Sequence, residues 1–368
     1  MNRLVWVLFF FAFISIGLSP RLGFCAGIKM ETDEQLSKQL AEDRIKTFEE
    51  GIIETGLSRE DIPAINRPDY ISVEDATLSN DDNDIVFIAK FTDDDVRIYP
   101  QLVLVWHEIV NDVVNGEKVS ITYCPLTGSV VGYKGKVGLF NTAFGTTGML
   151  VNNNLLMYDR STNSRWPQLL GIAVRGPLRG AKLTTFPLLW TSFERAITRY
   201  PKAKVLSRTT GVRRSYGRDP YGSYATRGNY YDNNVIVHRL TYWDKRLHAK
   251  TRVLGMQYEV YNSVAVVKQA VEQAGVLNFT LGMTPIAAIY DADLAAVRVF
   301  EATANGKPLI LEMFNGKVVD QQTKTEWTPE GEGRAGPFDG MKLKPLPAID
   351  AMWFAWAAFF PDSEILQK

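Results

Sequence analysis

The chain has 368 residues, and its 41 Lys and Arg residues balance its 41 Asp and Glu residues, so the formal net charge is zero. A neutral chain has no overall positive field, which excludes extended nucleic-acid binding as its main function. Hydrophobic residues make up 46% of the sequence and charged residues 22%. This is the composition of a folded globular protein rather than of a disordered chain.

The N-terminal segment, residues 1–26, has the pattern of a secretory signal peptide. Arg3 precedes an apolar run from Leu4 to Leu18, and small and polar residues follow. As a helix this run would rise only about 22 Å, less than the roughly 30 Å of a bilayer's hydrocarbon core, so a retained membrane anchor is less favoured. We therefore predict an exported protein, periplasmic or extracellular, with no membrane span in the mature chain.

The chain has two cysteines, Cys25 and Cys124. Cys25 lies at the edge of the predicted signal peptide, so the mature protein would keep one thiol and no internal disulfide. A lone thiol in an oxidising compartment is either buried as a small hydrophobic residue, bound to a metal or used in a reaction. The sequence leaves these alternatives open.

Residues 27–80 are predicted to form an N-terminal helix and an extended strap. Apolar residues recur at near-helical spacing over residues 31–60 and stop at Gly56, and two prolines follow in residues 62–76. From residue 81 the pattern changes to short strands. Residues 84–91 and 96–100 are predicted to form a hairpin around a polar turn.

An internal repeat is the strongest signal of organisation. Residues 171–206 align with residues 331–366 without a gap, at an offset of 160 positions. The pairs that match just upstream are Asp159 with Asp320, Thr162 with Thr323, Ser164 with Thr325 and Trp166 with Trp327. We predict one copy at residues 81–210, a second copy at residues 251–368, and an Arg- and Tyr-rich segment at residues 211–250 between them.

Each copy is predicted to contain short strands and one helix. Thr191 and Glu194 have the spacing of a capping box at the start of the first helix, and Asp350 is the expected N-cap of the second. Short strands with few helices argue against a parallel α/β sheet. The predicted fold is therefore a β-rich α+β fold, built from an internally duplicated unit packed as one body.

Cys124 stands in the sequence TYCPLTG. Alternating hydrophobic residues predict a strand that ends at Cys124, and Pro125 with Gly128 predicts a turn directly after it. A weaker alignment of the two copies places Asp291 of the second copy at the position of Cys124. We therefore expect the first copy to carry the site and the second copy to act as a scaffold.

A thiol-centred site in the first copy is the leading functional hypothesis. As a metal site it would use Cys124, His107 and His248, because sulfur and imidazole ligands suit copper or zinc. As a redox or nucleophilic site it would use Cys124 with His107 or His248 as the base and Glu108 or Asp159 as the carboxylate that orients the base. The sequence has no CxxC, HxH or HExxH motif, so it names neither a cofactor nor a reaction, and it does not decide whether the protein is an enzyme.

The alternative hypothesis is a non-catalytic module that binds a small ligand or an envelope component. The Arg- and Tyr-rich segment offers guanidinium groups and aromatic faces for such a ligand, or a lid for the thiol site. The predicted ligand-binding residues of the two hypotheses together are Asp159, Arg160, Arg214, Tyr216, Arg218 and Tyr221.

Over residues 60–366 the chain resembles the bacterial and archaeal family called domain of unknown function 3179. The resemblance rests on the motifs WHEIVND, TYCPLTGS, LLMYDRSTNSRWPQ, GPLRGAKL, GRDPYGSY, RLHAKTRVLG and WFAWAAFFPDSEIL. Many members carry a second cysteine where this chain has Thr127, a departure that argues against a two-cysteine site. The resemblance implies an exported protein and no established activity.

Overall fold

The structure is a computed structural model that describes residues 33–258 and 262–367. The predicted signal peptide and Cys25 lie outside this part of the chain. Within the described residues, no helix is both long enough and apolar enough to cross a membrane.

The helices of the described residues are short except for the first. They are α1 Asp33–Glu50, α2 Val73–Ala76, α3 Gln101–His107, α4 Phe193–Arg199, α5 Lys268–Ala274 and α6 Trp353–Phe359, with one 3-10 turn at Pro125–Thr127.

Fifteen strands precede residue 207 in the described part of the chain. They are β1 Ile53–Glu54, β2 Tyr70–Ile71, β3 Ile85–Lys90, β4 Val96–Pro100, β5 Ile109–Val114, β6 Glu117–Cys124, β7 Ser129–Lys134, β8 Lys136–Val137, β9 Phe140–Asn141, β10 Phe144–Val151, β11 Asn154–Asp159, β12 Arg165–Pro167, β13 Thr185–Phe186, β14 Leu189–Ser192 and β15 Lys204–Leu206.

Further strands follow residue 250. They are β16 Arg252–Gln257, β17 Ser263–Val267, β18 Val276–Leu281, β19 Thr284–Asp291, β20 Ala296–Glu301, β21 Thr303–Ala304, β22 Lys307–Pro308, β23 Leu311–Phe314, β24 Lys317–Asp320, β25 Glu326–Trp327, β26 Gly333–Arg334, β27 Lys344–Pro345, β28 Ile349–Met352 and β29 Glu364–Leu366.

The content of strands and helices is that of a β-rich α+β protein, as predicted. Strands account for 39% of the structure and helices for 15%. The predicted hairpin forms from β3 and β4, with Ile88 opposite Ile98. Alternating side chains place both of these residues in the core, where they are 1% and 0% exposed.

The N-terminal helix ends at Glu50 and not at Gly56. The chain turns at Gly51, and Ile53 then pairs with Leu150 of β10 as the edge of a sheet. This pairing gives hydrogen-bond partners to backbone groups that would otherwise have bonded within a longer helix. The helix is held by burial of Ile45 and Phe48, and the ring of Phe48 lies 5.0 Å from that of Phe359.

Residues 85–206, which we call the first half, contribute strands to four sheets, and two of these contain β3 to β7. One has the strand order β14-β3-β4-β15-β2, with β15 parallel to β4. The other contains β5, β6 and β7 as antiparallel neighbours, with β13 on β7. Residues 252–366, the second half, contain the orders β28-β16-β17-β29 and β18-β19-β20-β27, with β29 parallel to β17.

The elements of the second half follow those of the first at nearly constant distances along the chain. Strands β3 to β7 begin at residues 85, 96, 109, 117 and 129, and strands β16 to β20 begin 167 residues later, at 252, 263, 276, 284 and 296. Helices α3 and α5 have the same offset. Strands β14 and β28 are 160 residues apart, as are β15 and β29.

The two halves share one sheet and one core. Strand β28 of the second half pairs with β7 of the first, at Asp350 and Val130, so the sheet runs on through both halves. A single cluster of buried residues combines Leu156 of the first half with Val253 and Trp356 of the second. This junction lies beside the strand that carries Cys124.

Candidate functional site

Cys124 is the last residue of β6, and the predicted turn follows it as the 3-10 turn Pro125–Thr127. Gly128 ends this turn with a φ of 52°, in the left-handed region that favours glycine. The Cys124 side chain is 1% exposed and packs in an apolar cluster with Leu155 and Met157. Its Sγ donates a hydrogen bond to the Asn153 carbonyl oxygen, 3.6 Å away.

The environment keeps Cys124 protonated at neutral pH. Burial raises the pKa of its thiol to about 11, and the nearby carboxyl of Glu108 contributes to the rise. A thiolate is the nucleophilic form of cysteine. The thiol is therefore unreactive in this structure.

Glu108 follows α3 directly and adopts a left-handed backbone conformation with a φ of 57°. Its backbone is well bonded, since its N–H donates to Leu104 and its carbonyl accepts from Tyr123, both at 2.7 Å. Its side chain is 7% exposed, and its carboxyl makes no hydrogen bond or ion pair within the described part of the chain. Burial raises the pKa of Glu108 to about 8, so the carboxyl is mostly neutral at pH 7.

Two tyrosines of residues 211–250, which we call the linking segment, lie over this pair. Burial raises the pKa of Tyr221, and the neighbouring Glu108 and Cys124 raise it further. The Tyr230 hydroxyl donates to the Leu126 carbonyl oxygen at 2.6 Å, in the turn after Cys124. The linking segment therefore covers the thiol and the carboxyl.

Lys250 fixes Tyr230 in this position. Its Nζ donates to the Tyr230 carbonyl oxygen at 2.7 Å and lies 3.3 Å from the centre of the Tyr230 ring. Burial lowers the pKa of Lys250 to about 8. A cation held against an aromatic ring in a partly buried place adds to the stability of the closed segment.

The linking segment is also anchored at a second point. The carboxylate of Asp219 accepts from Gln101 of α3 at 2.7 Å and from the Tyr231 hydroxyl at 2.6 Å. The Tyr231 ring stacks on that of Tyr224 at 3.8 Å, and the Tyr224 hydroxyl lies 3.0 Å from that of Tyr123 in β6. These contacts make the linking segment an ordered part of the site.

The two predicted histidine ligands are occupied by other contacts. His107 places Nδ1 2.7 Å from the Pro63 carbonyl oxygen and Nε2 2.7 Å from the Tyr216 hydroxyl, and burial lowers its pKa. His248 places Nε2 2.6 Å from Asn234 Oδ1, and its Nδ1 accepts from the backbone N–H of Lys250 at 3.3 Å.

No three His, Cys, Asp or Glu side chains of the described residues form a group that could hold a metal ion. Cys124, His107 and His248 are therefore not assembled as ligands for copper or zinc in this conformation. The thiol lies among apolar side chains, and the imidazoles serve to fix neighbouring segments.

Asp159 and Arg160, predicted to bind a ligand, have structural contacts. Asp159 is fully buried and accepts from the backbone N–H groups of Thr162 at 2.6 Å and Ser164 at 3.0 Å, and from Trp166 Nε1 at 3.1 Å. These bonds close the turn between β11 and β12. Arg160 forms an ion pair with Glu60 at 2.7 Å.

The four residues predicted as a clamp in the linking segment do not converge on one point. Arg214 donates to the Asp61 carbonyl oxygen at 3.2 Å, and the Arg218 carbonyl oxygen accepts from Trp106 Nε1 at 3.0 Å. Tyr216 is bonded to His107. Of the four, only Tyr221 is coupled to Glu108 and Cys124.

A family model described as a protein of unknown function, DUF3179, matches residues 59–363. The chain belongs to the DUF3179 family. No curated protein and no solved structure matches the chain. The DUF3179 match includes both halves and the linking segment, so the thiol, the carboxyl and their cover all lie within the family region.

Sequence reasoning missed two residues of this DUF3179 site, Tyr230 and Lys250. Tyr230 lies in GNYYDNN and Lys250 in RLHAK. The predictions from these two stretches of sequence used other residues. A tyrosine next to a second tyrosine in a chain with few aliphatic neighbours could have indicated a packed aromatic contact. Its partner in the turn after Cys124 is set by tertiary structure, which no local pattern shows.

Proposed function

We propose that this DUF3179 protein carries a covered thiol site, in which Cys124 is the reactive group, Glu108 its proton acceptor and the linking segment the cover. The observation that carries the proposal is Glu108, a left-handed residue whose mostly buried side chain makes no hydrogen bond or ion pair with the described residues. Burial disfavours the ionised form of the Glu108 carboxyl, and a non-glycine residue in this backbone conformation costs roughly 1–3 kcal/mol. Such costs are concentrated at functional sites.

The site would work by a change in hydration. While the linking segment is closed, the thiol and the carboxyl both keep their protons. When it opens, water lowers both pKa values towards their ordinary ranges, and Glu108 becomes a carboxylate. Glu108 then accepts the proton of Cys124 as the sulfur bonds to an electrophilic carbon of a small ligand that has entered the opened site. The bond between that carbon and its leaving group breaks, the leaving group departs with the electron pair, and it takes the proton from Glu108.

A thiol-centred metal site has less support than a reactive thiol, because both histidines are already bonded through both ring nitrogens. The alternative module, with a clamp of Arg214, Tyr216 and Arg218, has less support because these residues are spread along anchoring contacts. If the protein is exported, as its N-terminal sequence predicts, the cover also protects the lone thiol from oxidation.

We also propose that the two halves derive from one duplicated unit. The constant offset of 167 residues from β3 to β7 and from β16 to β20 supports this origin. In this scheme the first half kept the chemical groups, and the second half serves as a scaffold.

The first test is alkylation of Cys124 by iodoacetamide, followed by intact mass, in the full chain with Cys25→Ser. We expect slow alkylation that is faster in Tyr230→Phe by up to about tenfold, since one hydrogen bond contributes about 0.5–1.5 kcal/mol to closure. Tyr242→Phe is the matched control, because Tyr242 is 44% exposed in the same segment. Equal rates for Tyr230→Phe and the parent chain would contradict the role of the cover.

The second test isolates Glu108. In the Tyr230→Phe background, Glu108→Gln should slow alkylation at pH 7 by at least about tenfold, because glutamine cannot accept the thiol proton. At pH 10 hydroxide removes that proton directly, and the two rates should converge. Identical rates at both pH values would show that Glu108 takes no part in the reaction of the thiol.

A further inference from the structure

A second cavity lies away from the covered thiol and shares no lining residue with it. It has a volume of about 430 Å³ and is open to solvent. Its walls come from β1, from the loop after β1, from β10 and from β12. The lining residues are Glu54, Gly56, Leu57, Ser58, Arg59, Thr147, Met149 and Arg165.

Two arginines of this cavity are held side by side. Arg59 donates to Asn163 Oδ1 at 3.2 Å, and Arg165 donates to the same oxygen at 2.7 Å. The guanidinium carbon of Arg59 lies 3.4 Å from the centre of the Tyr158 ring. Neutral groups therefore hold both guanidinium groups in place: the Asn163 amide oxygen contacts both, and the Tyr158 ring contacts Arg59.

No carboxylate of the described residues forms an ion pair with Arg59 or Arg165. The acids nearby in the sequence or the fold are already used, since Glu60 pairs with Arg160 and Glu49 with Arg175. Burial lowers the pKa of Arg165, and the charges of Arg59 and Arg175 lower it further. The carboxylate of Asp159 attracts Arg165 but forms no ion pair with it, so the two guanidinium groups repel each other and an anion that contacts both would be stabilised.

We propose that this cavity binds the phosphate group of a small ligand through Arg59 and Arg165. A phosphate group carries a charge of about −1.5 to −2 at pH 7, which matches two unpaired cations better than the single charge of a carboxylate does. A guanidinium group contacts phosphate oxygens with two parallel N–H bonds, and two such groups can contact different oxygens. The remaining volume leaves room for the rest of the ligand.

Glu54 limits how much negative charge the cavity accepts. It is an exposed residue on the cavity wall and forms no ion pair with either arginine. Its carboxylate repels an incoming anion through solvent, so neutralising it should strengthen phosphate binding moderately. Glu54→Gln should therefore change the affinity for phosphate in the opposite direction to the arginine variants.

The test is calorimetric titration of inorganic phosphate into the full chain at low ionic strength. We expect saturable binding of one phosphate per chain, weakened at least about tenfold in Arg59→Ala and in Arg165→Ala, because each removes charge-assisted hydrogen bonds. Arg227→Ala is the matched control, an exposed arginine outside the cavity, and should bind as the parent does. Glu54→Gln should bind phosphate more tightly.

Three results would overturn the proposal. The first is the absence of saturable binding at millimolar phosphate in the parent chain. The second is an equal loss in Arg227→Ala, which would mean that surface charge alone attracts phosphate. The third is acetate binding as tightly as phosphate, which would reassign the cavity to carboxylates. Because Arg59 is exposed, its alanine variant should keep the fold, and this can be checked by thermal melting.

Discussion

The two halves differ most at the positions that carry the candidate site. Helix α3 ends at Glu108 with a φ of 57°, whereas α5, at the same offset, ends at Gly275 with a φ of 76°. Strand β6 ends at Cys124, and the matching strand β19 ends at Asp291, whose carboxylate accepts from Arg298 at 2.9 Å. Both Cys124 and Asp291 are buried.

In the second half, the local rules of stability are followed at these positions. Glycine adopts the left-handed conformation without a side-chain penalty, and a buried charge has an opposite partner. In the first half, an acid takes the glycine position, and neither the acid nor the thiol forms an ion pair with another described residue. The difference teaches that the backbone geometry itself does not require Glu108 or Cys124, which points to chemistry as the reason for their presence.

Replacing Asp291, the charged residue of the second half that matches Cys124, should have the largest effect on stability. We expect Asp291→Ala to lower the free energy of unfolding by about 3 kcal/mol, because it leaves the half-buried Arg298 with only Tyr200 and the more distant Glu330 as partners. Cys124→Ala, at the matched position, should cost only about 1–2 kcal/mol, since it removes one sulfur atom from an apolar site. Urea unfolding of both variants measures the difference. A loss for Cys124→Ala as large as that for Asp291→Ala would make the thiol a structural residue.

Exchanging the residues at the helix ends should have an intermediate effect. Gly275→Ala is expected to destabilise the protein by about 2–4 kcal/mol, because an L-residue is strained there and an added Cβ would lie 2.4 Å from Cγ of Met313. Glu108→Gly should instead be neutral or raise the stability by about 1 kcal/mol, since it removes the same strain and an unpaired acid. Thermal melting at pH 8 compares the two. A strong destabilisation by Glu108→Gly would mean that the side chain supports the fold.

Part of this architecture follows from local sequence. Alternating apolar residues predicted the hairpin of β3 and β4, and Pro125 with Gly128 predicted the turn after Cys124. Both features depend on residues close together in the chain. The weak alignment that paired Cys124 with Asp291 agrees with the offset of β6 and β19.

The helix caps were predicted wrongly, because tertiary contacts took the capping groups. Thr191 donates its hydroxyl to the Leu294 carbonyl oxygen, and α4 begins two residues later with no side-chain cap. Asp350 lies in β28, and its carboxylate accepts from Arg252 at 3.0 Å and from Lys268 at 2.6 Å. A sequence pattern shows that a side chain can cap a helix, but not that a distant group competes for it.

The sequence predicted some residues of the candidate site, but not their conformation or their contacts. Cys124 and Glu108 were singled out from the sequence, but the left-handed conformation of Glu108 and its burial depend on how α3 meets β5 and β6. The sequence suggested the linking segment as a lid and named Tyr221, but it gave no sign that Tyr230 bonds to the turn after Cys124. The sequence indicated a metal site with His107 and His248, whereas the ring nitrogens of these two residues bond to backbone and side-chain groups.

The pH dependence of stability gives the finest comparison, because only the first half has a buried acid without a partner at this position. The pKa of Glu108 is raised from 4.5 to about 8 in the folded protein. The folded chain therefore keeps a proton that the unfolded chain releases between these pH values. Its stabilising effect is complete below pH 4.5 and is lost as the pH rises to about 8, at up to about 1.4 kcal/mol per pH unit.

Glu108→Gln should remove this slope, so the difference in unfolding free energy between the parent and the variant should fall from pH 5 to pH 8 and become constant above it. Urea unfolding at several pH values measures that difference, in which the titration of His107 and Lys250 cancels. Glu74→Gln, at an exposed acid of α2, is the control and should give no such trend. A flat difference for Glu108→Gln would mean that water reaches the carboxyl in the closed protein, and the contrast with Gly275 would then be one of backbone strain alone.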